Sequence, residues 1–262
     1  MNLEIISKYP SVSAHATPLL FVHGAWHAAW CWDVHFLDHF AQHGFAAHAV
    51  SLRGHGKSEG QNNLRWTRIA DYVDDVAATV RQLPVPPVII GHSMGGFVVQ
   101  KYLERCSAPA AVLLASAPPA GILTSVFRIA MRHPLVFLRV NLMLSPFQLV
   151  GTPSLAREIL FSEDLAYEQL PAYTKQLQEE SAMAFYDMLG LDLPKPGRIT
   201  TPMLVLGGSR DNNIKPGEIM ATARAYNAQS MIFPDVAHDM MLEPRWQSVA
   251  DRIVNWLKER NL

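Results

Sequence analysis

Short apolar runs alternate with longer amphipathic segments along most of the chain. The apolar runs predict β-strands at Leu3–Ser7, Leu19–Val22, Ala46–Leu52, Val88–Ile90, Ala111–Ala115, Met203–Leu206 and Ser230–Phe233. Several of these runs are continuously apolar, as expected for strands that helices cover on both faces. The longer segments predict helices at Trp32–His43, Ile69–Leu83, Gly96–Cys106, Gly217–Tyr226 and Arg245–Lys258. This alternation predicts an α/β fold with a mostly parallel, doubly wound sheet.

The alternation stops between Pro118 and Arg198, where helical patterns continue without a clear strand pattern. Prolines and glycines mark both ends of this stretch, at 118–121 and at 193–197. We therefore expect an inserted helical cap at 118–198. The α/β core would then consist of a first part at 1–117 and a second part at 199–262.

Length and composition are those of one folded domain with a large core. The chain has 262 residues, of which 49% are hydrophobic and 17% are charged. The formal net charge of -1 argues against nucleic acid as the main partner, because phosphate binding needs a basic surface. The two cysteines, Cys31 and Cys106, form neither a disulfide framework nor a metal-binding pattern. Since we find no signal-peptide pattern and no apolar run of about 18 residues, we expect a cytoplasmic protein without a transmembrane segment.

The strongest chemical motif lies where the strand predicted at Val88–Ile90 meets the next helix. Gly91-His92-Ser93-Met94-Gly95 has the Gly-x-Ser-x-Gly pattern, which exposes a serine on a strained turn between a strand and a helix. The glycines allow the strand and the helix to approach closely. The motif predicts that Ser93 is a nucleophile, and the alternative is a tight turn with an exposed serine.

The base and the acid that such a serine needs are predicted in two later loops. Ligands of doubly wound sheets bind at the carboxyl ends of strands, and Asp211 and His238 each follow a predicted strand there. The chain order Ser93, Asp211, His238 is that of one known triad fold. We predict that His238 is the base and that Asp211 orients it. Asp235 and Asp239 are alternative acids, and Asp211 could instead cap the next helix.

Two backbone amides are candidates for an oxyanion hole. Met94 lies at the start of the helix after Ser93, and Ala25 follows Gly24 at the end of another predicted strand. Trp26, Trp30 and Trp32 come next in the chain. These tryptophans are as consistent with an acyl pocket as with the hydrophobic core.

Together these residues resemble the α/β-hydrolase family. The stretches that carry the resemblance are 22–26, 52–58, 91–96, the turn at 207–211 and the loop around His238. The resemblance implies an eight-stranded, mostly parallel sheet, an acyl-enzyme on Ser93, and neither an organic cofactor nor a metal. Within the family, the stretch at 237–244 looks like the lipase and lysophospholipase-like bacterial hydrolases.

The predicted cap indicates the kind of substrate. Residues 126–144 are mostly apolar, with Arg128, Arg132 and Arg139 spaced among them. They suggest an apolar acyl pocket or a lid that meets a lipid surface, and the alternative is ordinary helix packing with arginines that reach water. The side chains that we expect to line the pocket are Trp26, His92, Phe127, Met131, Phe185 and Met188.

The resulting prediction is a serine hydrolase that cleaves carboxylic esters with an apolar acyl group. Its partner would be a small-molecule or lipid-like ester, with peripheral lipid contact as a further expectation. Lactone, thioester or C–C bond hydrolysis on the same triad remains an alternative. So does a ligand-binding receptor built on the same fold.

Overall fold

The computed structural model describes residues 1–11 and 15–262, and one β-sheet forms its centre. The seven strands are β1 (Ile5–Lys8), β2 (Leu19–Val22), β3 (Ala47–Val50), β4 (Val88–His92), β5 (Ala111–Leu114), β6 (Met203–Gly208) and β7 (Gln229–Phe233). Their order in the sheet is β1-β3-β2-β4-β5-β6-β7. The β1–β3 pair is antiparallel, and the remaining pairs are parallel. The predicted mostly parallel sheet is confirmed, with seven strands in the described residues where the resemblance implies eight.

Helices connect the strands and cover both faces of the sheet. In chain order they are α1 (Trp30–Asp33), α2 (Phe36–Gln42), α3 (Ile69–Val80), α4 (Met94–Leu103), α5 (Leu123–Arg132), α6 (Pro134–Met143), α7 (Pro153–Leu160), α8 (Leu170–Thr174), α9 (Ala182–Tyr186), α10 (Pro216–Ala225) and α11 (Trp246–Lys258). Short 3₁₀ turns lie at Gln61–Trp66, Pro146–Leu149 and Pro196–Arg198, and a π turn lies at Asp187–Leu191. None of the helices in the described residues is long and apolar enough to cross a membrane.

The helices lie where they were predicted with bounds shifted by a few residues, and two of the differences concern local backbone geometry. The helix predicted at Trp32–His43 is two helices, α1 and α2, because the backbone leaves helical geometry at His35 (φ -143°, ψ -48°). Helix α4 begins at Met94 rather than at Gly96, directly after the turn at Ser93. The apolar pattern located the helices, but it carries no information about a local break in the backbone.

The sheet places three loops side by side. Strands β2 to β5 are fully buried, in agreement with their mostly apolar sequences. Strand β7 forms the opposite edge from β1, and its first three residues are exposed. Because β4 to β7 are parallel, the loops that follow β4, β6 and β7 leave from the same end of the sheet. Ser93, Asp211 and His238 lie in these three loops.

Between β5 and β6 the chain leaves the sheet and forms α5 to α9. We call residues 118–198 the helical segment. Two buried carboxylates of this segment hold it against the rest of the chain. The carboxylate of Asp187 accepts hydrogen bonds from Nε of Arg68 at 2.8 and 2.9 Å. The carboxylate of Glu180 accepts from Nε2 of His55 at 3.1 Å and from the hydroxyl of Tyr72 at 2.6 Å.

Candidate active site

Ser93 lies on a sharp turn between strand β4 and helix α4. Its backbone, with φ 51° and ψ -118°, has a conformation that residues other than glycine rarely adopt. The amide of Ser93 donates to the carbonyl of Leu114 (3.0 Å), and its carbonyl accepts from the amide of Ala117 (3.1 Å). These bonds to the end of β5 and the residues after it hold the turn in its strained conformation.

Glycines around Ser93 are required by close backbone contacts. A Cβ atom at Gly95 would overlap the carbonyl oxygens of Val22 and His23. A Cβ atom at Gly91 would lie 2.6 Å from the carbonyl oxygen of Gly95 and 2.7 Å from Cα of Gly96. Strand and helix can therefore approach each other here because these positions have no side chain.

Three side chains form a continuous hydrogen-bonded chain. The hydroxyl of Ser93 donates to Nε2 of His238 at 2.9 Å, and Nδ1 of His238 donates to Oδ2 of Asp211 at 2.8 Å. The other carboxylate oxygen of Asp211 accepts from the amides of Asn213 (2.7 Å) and Ile214 (2.8 Å). The structure thus brings together the three residues that the sequence predicted as nucleophile, base and acid, in the order that this chemistry requires.

The surroundings of His238 favour its protonated form. Burial alone would lower the pKa of the ring, but the charge and hydrogen bond of Asp211 outweigh burial and raise this pKa above its usual value of 6.5. The charge of Asp239 adds a smaller effect in the same direction. A ring in this environment can accept a proton from Ser93 while Asp211 stabilises the resulting imidazolium.

The two alternative acids have other partners. Oδ2 of Asp239 lies 3.0 Å from Nε2 of His27, and both side chains are buried. The carboxylate of Asp235 pairs with Arg210 (2.6 Å) and with Arg245 (3.5 Å) near the surface. Asp211 is the carboxylate that hydrogen-bonds the imidazole of His238.

A buried polar cluster behind His238 was missed by sequence reasoning. Nε2 of His92 donates to the carbonyl of His238 at 3.0 Å and lies 3.8 Å from Asp239. Burial and the neighbouring charge of His238 lower the pKa of His92 to about 3, so this ring is neutral. Burial opposes ionisation of Asp239, but His27 outweighs it and holds the pKa of Asp239 below its usual value. The sequence signal was weak because His27 is distant in the chain, although Asp239 directly follows His238.

The two amides predicted for an oxyanion hole lie at the pocket beside Ser93. Ala25 and Met94 both line this pocket, and Met94 is the first residue of α4, where backbone amides lack intrahelical partners. A Cβ atom at Gly24 would lie 2.7 Å from Nδ1 of His92 and 2.9 Å from Cβ of Ser93. The loop that carries Ala25 can therefore pass so close to Ser93 because position 24 is glycine. Two backbone donors at this place can face a negative oxygen that develops on a substrate.

An apolar pocket adjoins Ser93, with about 930 Å³ of empty space that is partly open to solvent. Most of its wall comes from the helical segment, and most of its lining side chains are apolar. Those from α5, α6 and the turn after α6 are Val126, Ile129, Phe137, Val140, Leu144, Pro146 and Leu149. Polar groups at the pocket include Asn213, whose Nδ2 lies 3.4 Å from Nε2 of His238. Such a pocket can hold an apolar group with its end at Ser93.

Three of the predicted pocket side chains line this space. They are Trp26, Phe185 and Met188, and the rings of Trp26 and Phe185 lie 5.8 Å apart. The tryptophans that follow Ala25 therefore include both a pocket residue and a core residue. Trp26 lines the pocket, whereas Trp32 is fully buried in the core, with its ring 5.1 Å from that of Phe21.

The prediction is wrong for the other three pocket residues. Phe127 and Met131 are 63% and 70% exposed on the outer face of α5, because the pocket is lined by Val126 and Ile129 of the same helix. His92 is buried behind His238, where its ring hydrogen-bonds the backbone instead of facing the pocket.

Comparison with known families matches residues 19–252 to the model described as the alpha/beta hydrolase family. Two curated relatives align along most of their length. A monoacylglycerol lipase of Mycolicibacterium smegmatis is 24% identical over 85% of this chain and 81% of its own. A non-heme haloperoxidase of Rhodococcus erythropolis is 27% identical over 85% of this chain and 86% of its own.

Solved structures of the same fold include two with ester-hydrolase names. The monoacylglycerol lipase of Paleococcus ferrophilus superimposes with a TM-score of 0.69 at 19% identity, over 99% of this chain and 100% of that one. An esterase from Exiguobacterium antarcticum superimposes with a TM-score of 0.74 at 15% identity, over 98% of this chain and 95% of that one. At such low identities the likeness concerns the fold.

Proposed function

We propose that this chain, which belongs to the alpha/beta hydrolase family, hydrolyses carboxylic esters that carry an apolar acyl group. The observation that carries the proposal is the hydrogen-bonded series of Ser93, His238 and Asp211 beside an apolar pocket. The names of the lipase and esterase relatives are in keeping with this chemistry. The haloperoxidase name of another relative leaves the choice of reaction to experiment.

In the first half of the proposed reaction, Ser93 is acylated. Its Oγ attacks the ester carbonyl while its proton passes to Nε2 of His238, and the carbonyl oxygen becomes an oxyanion facing the amides of Ala25 and Met94. The tetrahedral intermediate then breaks its bond to the alcohol oxygen. His238 returns the proton to that oxygen, and the alcohol leaves.

In the second half, water releases the acyl group. His238 takes a proton from the water, whose oxygen attacks the acyl carbonyl, and the Ser93 oxygen leaves with the proton from His238. Asp211 keeps the ring in the tautomer that has its proton on Nδ1 throughout. The products are a carboxylic acid and free Ser93.

Substrate selection in this proposal comes from the helical segment, which we propose to be a cap over the core. Its apolar side chains at the pocket bury an acyl chain, and each buried CH₂ group contributes about 0.8 kcal/mol to binding. Transition-state binding should therefore strengthen with acyl length until the pocket is full.

The test is turnover of p-nitrophenyl esters from acetyl to palmitoyl, on wild type and on Ser93→Ala in parallel. We expect kcat/KM to rise with chain length and then level off, and Ser93→Ala to lose nearly all turnover while remaining folded. Full turnover by a folded Ser93→Ala variant would exclude the proposed nucleophile. Turnover that falls steadily from acetyl onward would exclude an apolar acyl group as the preferred substrate.

A further inference from the structure

A group of potential metal ligands lies outside the pocket, where helix α2 meets the C-terminal helix α11. His39 is in α2, His43 directly follows that helix, and Asp251 is in α11. One ligating atom from each of the three lies within 4.8 Å of the other two. None of the three lines the pocket at Ser93.

The chain arranges two of these ligands by simple helix geometry. Residues four apart lie on the same face of a helix, so His39 and His43 point the same way, and their ring centroids lie 4.4 Å apart. Asp251 approaches from the neighbouring helix. Two histidines and one carboxylate form a donor set that Zn²⁺ accepts.

The contact between His39 and Asp251 is close but is not an aligned hydrogen bond. Nε2 of His39 lies 3.0 Å from Oδ1 of Asp251. His39 is only 6% exposed, and its Nε2 is buried without a hydrogen-bond partner among the described residues. Two atoms that lie this close without an aligned hydrogen bond are spaced like neighbouring ligands of one ion. A tetrahedral zinc site, with ligands about 2.0–2.1 Å from the metal, would widen the separation to about 3.4 Å.

The other groups around the two rings fix their orientation. Nδ1 of His43 donates to the carbonyl of His39 at 2.8 Å, which leaves the lone pair on Nε2 of His43. Ligating histidines in proteins characteristically donate their second nitrogen to a carbonyl or carboxylate in this way. The ring of Trp246 packs edge-on against His39, with centroids 5.5 Å apart, and stacks on His35 at 4.6 Å.

We propose that His39, His43 and Asp251 bind a Zn²⁺ ion that links α2 to the C-terminal helix. A water molecule completes four-coordination. The site is structural: it lies outside the ester-binding pocket, and the proposed hydrolysis does not require it. The absence of a metal was expected from the resemblance to the α/β-hydrolase family, and the proposed site departs from that expectation at residues outside the stretches that carry the resemblance.

The first test is calorimetric titration of chelator-treated protein with Zn²⁺. Wild type should bind one Zn²⁺ per chain, and His43→Ala and Asp251→Asn should each weaken binding about tenfold or more. Both side chains are partly exposed, so these variants should fold. The matched control is His133→Ala, which removes another histidine that lies 2.9 Å from a carboxylate, that of Glu158. The control should bind Zn²⁺ like wild type.

The second readout is the thermal unfolding midpoint with and without Zn²⁺. Wild type and His133→Ala should gain stability with saturating Zn²⁺, because a ligand that binds the folded state raises the midpoint. His43→Ala and Asp251→Asn should lose that gain, and ester turnover should be unchanged in both. Equal binding of Zn²⁺ by all four proteins would overturn the proposed site. So would no binding by wild type, which would leave an ordinary contact between His39 and Asp251.

Discussion

At His238, two buried carboxylates act on one imidazole ring. Asp211 hydrogen-bonds Nδ1 directly, while Asp239 raises the pKa of the ring through its charge alone. The sequence could predict Asp211, because it follows a buried strand at the ligand-binding edge of the sheet. It could not assign Asp239, because the partner that keeps Asp239 charged, His27, comes from a loop 212 residues earlier in the chain.

The pH profile of ester hydrolysis tests this arrangement. The base must be neutral, so kcat/KM should fall as the pH drops through the raised pKa of His238. Asp239→Asn removes a charge that raises this pKa, so the acidic limb should move to lower pH. Asp235→Asn is the control, since Asp235 pairs with surface arginines instead, and its profile should match wild type. An acidic limb that stays in place in Asp239→Asn would show that Asp239 does not act on the ring.

At the scale of elements, helix α5 is a case in which the hydrophobic pattern does not predict which face of the helix is buried. Val126 and Ile129 line the pocket, while Phe127 and Met131 lie on the opposite, exposed face. Both pairs recur at helical spacing, and both are apolar. Because α5 carries apolar side chains on both of these faces, sequence alone could not choose between the two pairs.

The attachment of the helical segment depends on a buried carboxylate that sequence analysis did not identify. Glu180 is fully buried and accepts from His55 and Tyr72 of the core. Replacing it by alanine leaves two buried donors without their acceptor. We expect Glu180→Ala to lower the free energy of unfolding by about 3–5 kcal/mol, the usual effect of breaking a buried pair. Chemical denaturation followed by tryptophan fluorescence measures it.

The control for this prediction is Glu168→Ala, an exposed carboxylate of the same segment, which should change the free energy of unfolding by less than about 0.5 kcal/mol. If Glu180→Ala were as stable as this control, the buried contacts to His55 and Tyr72 would not hold the segment in place.

At the scale of the whole molecule, α5 and α6 present an apolar surface to solvent. Its members, each more than half exposed, are Leu123, Phe127, Met131, Leu135, Leu138, Leu142 and Met143. Two of the three arginines first considered as lipid contacts form ion pairs within the protein: Arg128 pairs with Glu218 at 2.7 Å and Arg132 with Glu158 at 2.8 Å. Lipid contact would therefore depend on apolar side chains more than on charge.

Vesicle co-sedimentation tests this expectation. The double variant Leu135→Ser and Leu142→Ser should bind phosphatidylcholine vesicles more weakly than wild type, because it removes two of the most exposed apolar side chains. Leu191→Ser changes a leucine of similar exposure outside α5 and α6 and should leave binding unchanged. Adding anionic lipid should have little effect. Equal binding by wild type and the double variant would remove lipid contact from the account.

The mostly parallel sheet and the turn that carries Ser93 could be predicted from sequence because their signals are local. Continuous apolar runs, the glycines around Ser93 and the loops after β6 and β7 can each be recognised within a few residues of sequence. What escaped prediction depends on distant partners or on small backbone deviations. Examples are the break at His35, the tie between Glu180 and His55, and the pairing of His27 with Asp239.

The central claim, that Ser93 forms the covalent intermediate, is tested most directly by titration with a fluorophosphonate. Ester turnover and the mass of each peptide would be followed in the same samples. The account predicts one label per chain, located on Ser93, and a loss of turnover in proportion to labelling. Complete labelling of Ser93 with turnover intact, or inactivation by a label at another residue, would contradict it.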